Sequence, residues 1–237
     1  MGNMYSEAIY RWNVFVGCMY DCSYCKKSFQ AQMKRQKPVI DKNGKKRGCQ
    51  QCYDYFPHFH EERLDNLLPR TNGDQFIWVG GSGDVAFCYP FEMLKILDKI
   101  KEYPNRTFFF QTKDPEFFAQ WDFPENVILG ITLETNHDTF LFSKAPMPLE
   151  RFIEFLKIKH PRKIITIEPI MKFNLEQMVD WCVEINPERI YIGYDSKKNK
   201  LREPSLEKTK EFIKLLKFFL PNCKIKEKLM RKAWDEK

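Results

Sequence analysis

The chain has 237 residues, 43% of them apolar and 15% aromatic, with 39 Lys and Arg against 32 Asp and Glu for a formal net charge of +7. That length can bury a core without disulfide staples, and no stretch approaches the roughly 18 consecutive apolar residues of a membrane span. Residues 1–10 carry Glu7 and no continuous apolar run, so no signal peptide is expected, and the eight cysteines are expected in a reducing cytoplasm without a disulfide framework.

Apolar, β-branched and aromatic runs predict strands near residues 8–16, 76–80, 107–111, 127–133, 163–168 and 189–193. Phe76-Ile77-Trp78-Val79, Thr107-Phe108-Phe109-Phe110 and Ile164-Ile165-Thr166-Ile167 are nearly continuous in apolar character. Strands of parallel sheets, covered on both faces, read this way. Between the runs, Phe91, Leu94, Leu97 and Ile100 form one helical stripe, and Leu149, Phe152, Ile153 and Leu156 another. Asn174, three residues before Gln177, suits a helix cap, and Pro204-Ser205 opens the last helix. Six βα units in series imply an α/β fold, most simply an open (β/α)6 partial barrel with helices outside. We expect one domain over 1–237, carrying a Lys- and Cys-rich insertion at about 26–59. Basic runs at Lys42 to Arg47, Lys197 to Arg202 and Lys224 to Arg231 suit phosphate contact, and equally suit solvated loops.

Chemistry in barrel folds sits at the carboxyl ends of the strands. The first run ends in Cys18, Cys22 and Cys25, a Cys-x3-Cys-x2-Cys spacing that supplies three thiolates and no fourth. A [4Fe-4S] cluster so held leaves one iron open to an exogenous group. The competing reading is a structural zinc centre completed by Cys49 or Cys52. The second run ends in Gly80-Gly81-Ser82-Gly83-Asp84, where bare backbone lets a ligand approach closely. The third ends in Gln111-Thr112-Lys113 and the fourth in Glu134, a carboxylate suited to ribose hydroxyls. The fifth ends in Glu168, whose charge needs a partner such as Lys113 or a bound group. Separately, Cys49, Cys52, His58 and His60 are close enough in sequence for a tetrahedral N2S2 zinc site, although Cys-x2-Cys-x5-His-x-His is not a standard finger. The alternatives are reduced thiols in a mobile loop, with His60 capping the next helix.

The Gly17 to Cys25 loop is similar to the signature of the radical S-adenosylmethionine superfamily. The ordered set Trp12-Asn13, Phe59 to Leu64, Gly81 to Asp84, Gln111 to Glu116, Asn126 to Thr132 and Glu168-Pro169 more narrowly resembles a phage-associated family within it, of largely unknown function, whose core is similar to spore photoproduct lyase. Lys26-Lys27 stands where Tyr-Ala is common in that family, which leaves the substrate open. The resemblance implies a cluster on Cys18, Cys22 and Cys25, with the open iron taking the methionine moiety of S-adenosylmethionine. It implies Tyr24 near the adenine and the Gly80 to Asp84 turn at the methionine amino group; the strand-end residues Gln111, Lys113, Glu134 and Glu168 are the further cofactor-binding candidates. The implied reaction is reductive cleavage of the cofactor to a 5'-deoxyadenosyl radical that abstracts hydrogen from an unidentified substrate, with nucleic acid or a nucleotide-derived molecule as the candidate class. A ferredoxin or flavodoxin would supply the electron. The reading from another class is a metal-stabilised nucleic-acid-binding module without catalysis.

Overall fold

The computed structural model describes residues 4–236. In chain order, strands β1 (Ala8–Trp12) and β2 (Phe15–Gly17) are followed by helix α1 (Phe29–Met33), a small hairpin of β3 (Val39–Ile40) and β4 (Lys46–Arg47), helix α2 (Gln50–Asp54) and strand β5 (His58–Phe59). Then come β6 (Phe76–Val79), β7 (Ser82–Gly83), α3 (Pro90–Lys101), β8 (Phe108–Thr112), β9 (Val127–Thr132), α4 (Pro148–Lys157), β10 (Lys163–Ile167), α5 (Leu175–Ile185), β11 (Arg189–Gly193), α6 (Leu206–Phe219) and β12 (Lys224–Lys228). A seven-stranded sheet in the order β1-β6-β8-β9-β10-β11-β12 is parallel throughout and curls into a half-barrel. It is the expected α/β partial barrel, with two differences.

The apolar run expected over 8–16 is two strands. β1 starts the large sheet, whereas β2 leaves it for a three-stranded sheet of order β5-β2-β7. β12 was not expected at all. Its Lys-Ile-Lys-Glu-Lys sequence carries a single apolar residue, so it reads as a charged surface run, yet it pairs in register with β11 from Arg189↔Lys224 to Gly193↔Lys228. Charged side chains are what an edge strand carries to deter pairing with other chains.

Period-two alternation divides the sheet's residues between two layers. Ile77, Val79, Phe108, Phe110, Val127, Leu129, Ile165, Ile167, Ile190 and Ile192 pack outward, in one cluster with helix residues such as Met93, Ile96, Phe155, Met178 and Phe212. Phe76, Trp78, Phe109, Ile128, Ile164 and Tyr191 form a second cluster on the other face with Tyr5. The helical stripes are rotated from those expected. Met93, Ile96, Leu97 and Ile100 are buried on α3 while Phe91 and Leu94 are exposed, and on α4 Phe152 and Phe155 are buried while Leu149 and Ile153 are exposed. Helix capping follows the sequence: the Asn174 side chain accepts from Gln177 N at 3.1 Å, and Ser205 Oγ accepts from Lys208 N at 3.2 Å.

Candidate active site at the carboxyl ends of the strands

The second cluster stops part-way up the sheet. Two residues further along the same face the side chains become polar: Phe109 gives way to Gln111, Ile128 to Thr132 beyond Gly130, Ile164 to Thr166 and then Glu168. Gln111, Thr132, Thr166 and Glu168 all line a cavity of about 500 Å³ at the carboxyl ends of the strands, and Trp78 lies at its apolar side. Three of the polar groups are tied into the wall, with Gln111 Nε2 donating to Thr132 Oγ1 at 2.8 Å and Tyr5 OH within 2.7 Å of Thr166 Oγ1.

Cys18, Cys22 and Cys25 line the same cavity. Their loop follows β2, whose short length and separate sheet carry the chain across the mouth of the barrel. Gly17 is left-handed (φ 99°), and a Cβ there would lie 2.3 Å from the Phe56 carbonyl oxygen. A Cβ on Gly83 would lie 2.5 Å from the Gly17 carbonyl oxygen. Bare backbone at both positions therefore lets three chain segments close on the start of the loop. Further along, Ser23 N donates to Phe142 O at 2.8 Å, Lys144 N donates to Tyr20 O at 2.7 Å, and Cys22 Sγ lies 3.1 Å from Ser143 Oγ. The Tyr20 ring packs on Phe87 at 4.7 Å. These contacts fix the loop without using the thiols of Cys18 and Cys25.

The thiols do not share one environment. A hydrogen bond from Cys25 holds the Cys22 thiol below its ordinary range, burial opposes this, and the Lys113 ammonium reinforces it. Cys18 is pushed up by burial and by the nearby Asp84 carboxylate.

Tyr24 and Lys113 also line the cavity, and behind them lies Glu134, which is fully buried. Tyr24 OH and Lys113 Nζ both donate to Glu134 Oε1, Lys113 Nζ donates to Tyr24 OH at 2.6 Å, and Arg151 Nη1 donates to Glu134 Oε2 at 2.6 Å. Burial alone would raise the Glu134 carboxyl, but Arg151 and Lys113 hold it well below the usual carboxylate range. Glu134, expected at the ribose, is not among the residues lining the cavity, and its oxygens accept from cationic and phenolic donors. Gly80 and Ser82 do not line the cavity either, whereas Gly81, Gly83 and Asp84 do. Asp84 is saturated by Thr112 Oγ1 at 2.6 Å, Lys113 N at 2.9 Å and Ala86 N at 3.1 Å, so its carboxylate joins the second and third strand ends. Glu168 pairs with Lys228 of the unexpected seventh strand at 3.5 Å, not with Lys113. Burial raises the Glu168 carboxyl, with Lys228 opposing.

Sequence reasoning missed Arg151, whose guanidinium is fully buried, together with Thr132, Thr166, Trp78, Arg11 and Lys228 on the cavity wall. Thr132 and Thr166 carry a readable signal, being polar residues in register with the inner apolar positions. Arg151 has none, since it sits in α4 beside Phe152 on the buried stripe.

The second set of ligand-type residues converges elsewhere. Cys49, Cys52, His58 and His60 bring one ligand atom each within 4.8 Å of one another. The His60 side chain makes no cap bond to the turn that follows, which counts against the alternative of a helix cap.

Solved structures share this architecture. Spore photoproduct lyase, as a Cys-to-Ala variant with dinucleoside spore photoproduct, superposes with a TM-score of 0.60 and 10% identity over 93% of this chain and 76% of its own. SuiB of Streptococcus suis, bound to precursor peptide SuiA, gives 0.51 and 13% over 94% of this chain and 47% of its own, and with S-adenosylmethionine bound 0.52 and 12% over 92% and 49%. Both are radical S-adenosylmethionine enzymes. The fold is theirs. No protein-family model matches the sequence, and no curated protein does. Among the described residues no helix is long and apolar enough to cross a membrane.

Proposed function

We propose that the chain is a radical S-adenosylmethionine enzyme, with a [4Fe-4S] cluster on Cys18, Cys22 and Cys25 and S-adenosylmethionine in the adjoining cavity. The observation that carries this reading is that three thiols and the polar strand ends Gln111, Thr132, Thr166 and Glu168 line one cavity. Only these three thiols are among its described lining residues, which fits a cluster needing three protein ligands and one open iron. When bound, the pair supplies one-electron cleavage of the cofactor to a 5'-deoxyadenosyl radical.

The residues of this chain then bind, orient and exclude water. At Cys22 the hydrogen bond from Cys25 and the positive charge of the Lys113 ammonium favour the thiolate form, while burial pushes the Cys18 thiol up and the bond to Cys22, with burial, pushes Cys25 up. Glu134 is a positioning residue that holds Lys113 and Tyr24 in the wall. Ribose hydroxyls fall to Gln111, Thr132 and Thr166, and the cofactor's methionine amino group to the bare backbone of Gly81 and Gly83. Anaerobic reconstitution with iron and sulfide followed by chemical reduction should yield 5'-deoxyadenosine and methionine from S-adenosylmethionine. A colourless protein that takes up zinc at the triad and makes neither product would favour the metal-stabilised binding module instead.

For substrate we propose nucleic acid or a nucleotide-derived molecule, with a ferredoxin or flavodoxin as electron donor. Arg11, Arg35, Lys197 and Lys228 border the cavity, and Arg11 lies over the Trp78 ring at 5.3 Å. Cations beside an aromatic face suit phosphates beside a base. Spore photoproduct lyase was solved with a dinucleoside product, whereas SuiB was solved with a peptide. Salt separates the two substrate classes, because phosphate contacts release counterions. Binding of labelled DNA or RNA should weaken about tenfold or more between low and physiological salt, and Lys197→Glu with Lys198→Glu should weaken it further. No binding at low salt would exclude a polymer.

A further inference from the structure

Residues 49–60 lie outside the parallel sheet and reach the cavity wall only at Tyr55, yet they carry four ligand-type side chains gathered about one point. Cys52, His58 and His60 are buried, and Cys49 is partly so. His58 Nε2 lies 2.8 Å from His60 Nε2, 3.3 Å from Cys52 Sγ and 3.5 Å from Cys49 Sγ, and His60 Nε2 lies 3.1 Å from Cys52 Sγ. The outer nitrogens settle which way the lone pairs point. His58 Nδ1 is 2.7 Å from the Phe56 carbonyl oxygen and His60 Nδ1 is 2.8 Å from Glu62 Oε1, and both of those oxygens only accept. Each Nδ1 therefore carries a proton, and each Nε2 directs its lone pair inward. Outward donation of this kind is how metal-bound imidazoles are oriented. Four electron-pair donors then face one another. As thiols, Cys49 and Cys52 each have one proton to donate to an Nε2, whereas a cation at the centre engages all four ligand atoms at once.

The spacing selects the cation. Zinc bonds of about 2.0 Å to nitrogen and 2.3 Å to sulfur put tetrahedral ligand atoms about 3.3 Å apart for N and N, 3.5 Å for N and S and 3.8 Å for S and S. The one N–N and three N–S separations above lie within about half an ångström of these, and all four ligand atoms lie within 4.8 Å of one another, a set sized for one ion and not for two irons bridged by sulfide. We propose that Cys49, Cys52, His58 and His60 bind one structural Zn²⁺, closed to substrate, which holds residues 49–60 against the start of the cysteine loop. The link to the loop is direct. His58 pairs with Val16 across β5 and β2, Cys18 N donates to Tyr55 O at 3.3 Å, and the Phe56 carbonyl packs on Gly17. The proposal stands whether or not the chain proves to be a radical enzyme.

Elemental analysis of the chain with Cys18, Cys22 and Cys25 all changed to Ala tests it without involving that activity. About one zinc per chain is expected, falling to background when Cys52→Ala is added. Zinc at background in the triple variant, iron in its place, or zinc retained after Cys52→Ala would each overturn the proposal. Should the triple variant misfold, Co²⁺ loaded into the unsubstituted chain and into Cys52→Ala reports the site by difference: intense tetrahedral bands with thiolate charge transfer that Cys52→Ala diminishes are expected, and spectra unchanged by Cys52→Ala count against it. Hydrogen exchange then tests the clamp, since chelating the metal should speed exchange of the Cys18 amide at least tenfold, and an unchanged rate would contradict it.

Discussion

Two groups of cysteines lie within sixty residues of each other in this chain, and their surroundings differ in one respect. Cys49 and Cys52 meet two imidazoles, which brings four ligand-type atoms within 4.8 Å of one another, whereas Cys18, Cys22 and Cys25 face a cavity of about 500 Å³ with no fourth thiol among its described walls. A closed ligand set stabilises, and a set with an open position admits an outside group. The supports follow the same division. His58 and His60 are oriented by a carbonyl and a carboxylate beside them in sequence, whereas the triad loop is held at its start from Tyr55 and Phe56 and further along from Phe142, Ser143 and Lys144, more than a hundred residues away, and faces the charge of Lys113.

The sharpest way to break the contrast is to remove ligands from each group in turn. Changing any of Cys18, Cys22 or Cys25 to Ala should eliminate cluster iron and bring 5'-deoxyadenosine to background while zinc stays, as read by elemental analysis and chromatography of the products. Cys52→Ala should do the reverse to the metals, and should lower the unfolding free energy by at least about 5 kcal/mol, in the range reserved for losing a metal. Denaturant titration measures it. If the triad variants destabilise more than Cys52→Ala does, the division into open and closed sites is wrong.

Glu134→Ala probes what supports the open site. It leaves the fully buried Arg151 without its carboxylate, which should cost about 3 to 5 kcal/mol. The folded-state carboxyl is held low, so its contribution is present above the unfolded value of about 4.3 and fades as the pH falls below it. The stability gap between Glu134→Ala and the parent should therefore narrow in acid. Glu168 behaves with the opposite sign and a smaller effect. Its carboxyl is raised by burial, so the parent is penalised as the pH rises through the folded value, and Glu168→Gln should gain stability near neutral pH but not near pH 4. A Gln variant that is less stable at neutral pH would show that the Lys228 pair outweighs burial.

The same contrast shows how far the residues alone reveal the molecule. Buried parallel strands announce themselves, because a side chain covered on either face must be apolar: expected runs at 76–80, 127–133 and 189–193 became Phe76–Val79, Val127–Thr132 and Arg189–Gly193. β12 escaped because an edge strand needs one apolar residue, Ile225, and otherwise carries charge. Ligand-type residues near in sequence, Cys49 to His60, could be gathered on paper, since a turn and a short strand suffice to bring them together. Glu134 could not be placed, because the chain leaves the sheet after Thr132 and the period-two rule no longer says which way a side chain turns. Arg151, seventeen residues on and opposite Glu134 at 2.6 Å, became visible only when α4 was docked on the sheet.

The central claim is that the open triad, with the cavity it faces, cleaves S-adenosylmethionine. The most direct measurement is 5'-deoxyadenosine formed per chain by the anaerobically reconstituted and reduced protein, beside a Cys22→Ala protein treated identically. The account predicts product from the first and background from the second. Equal amounts from both, or none from a parent chain that has taken up about four irons, would contradict it.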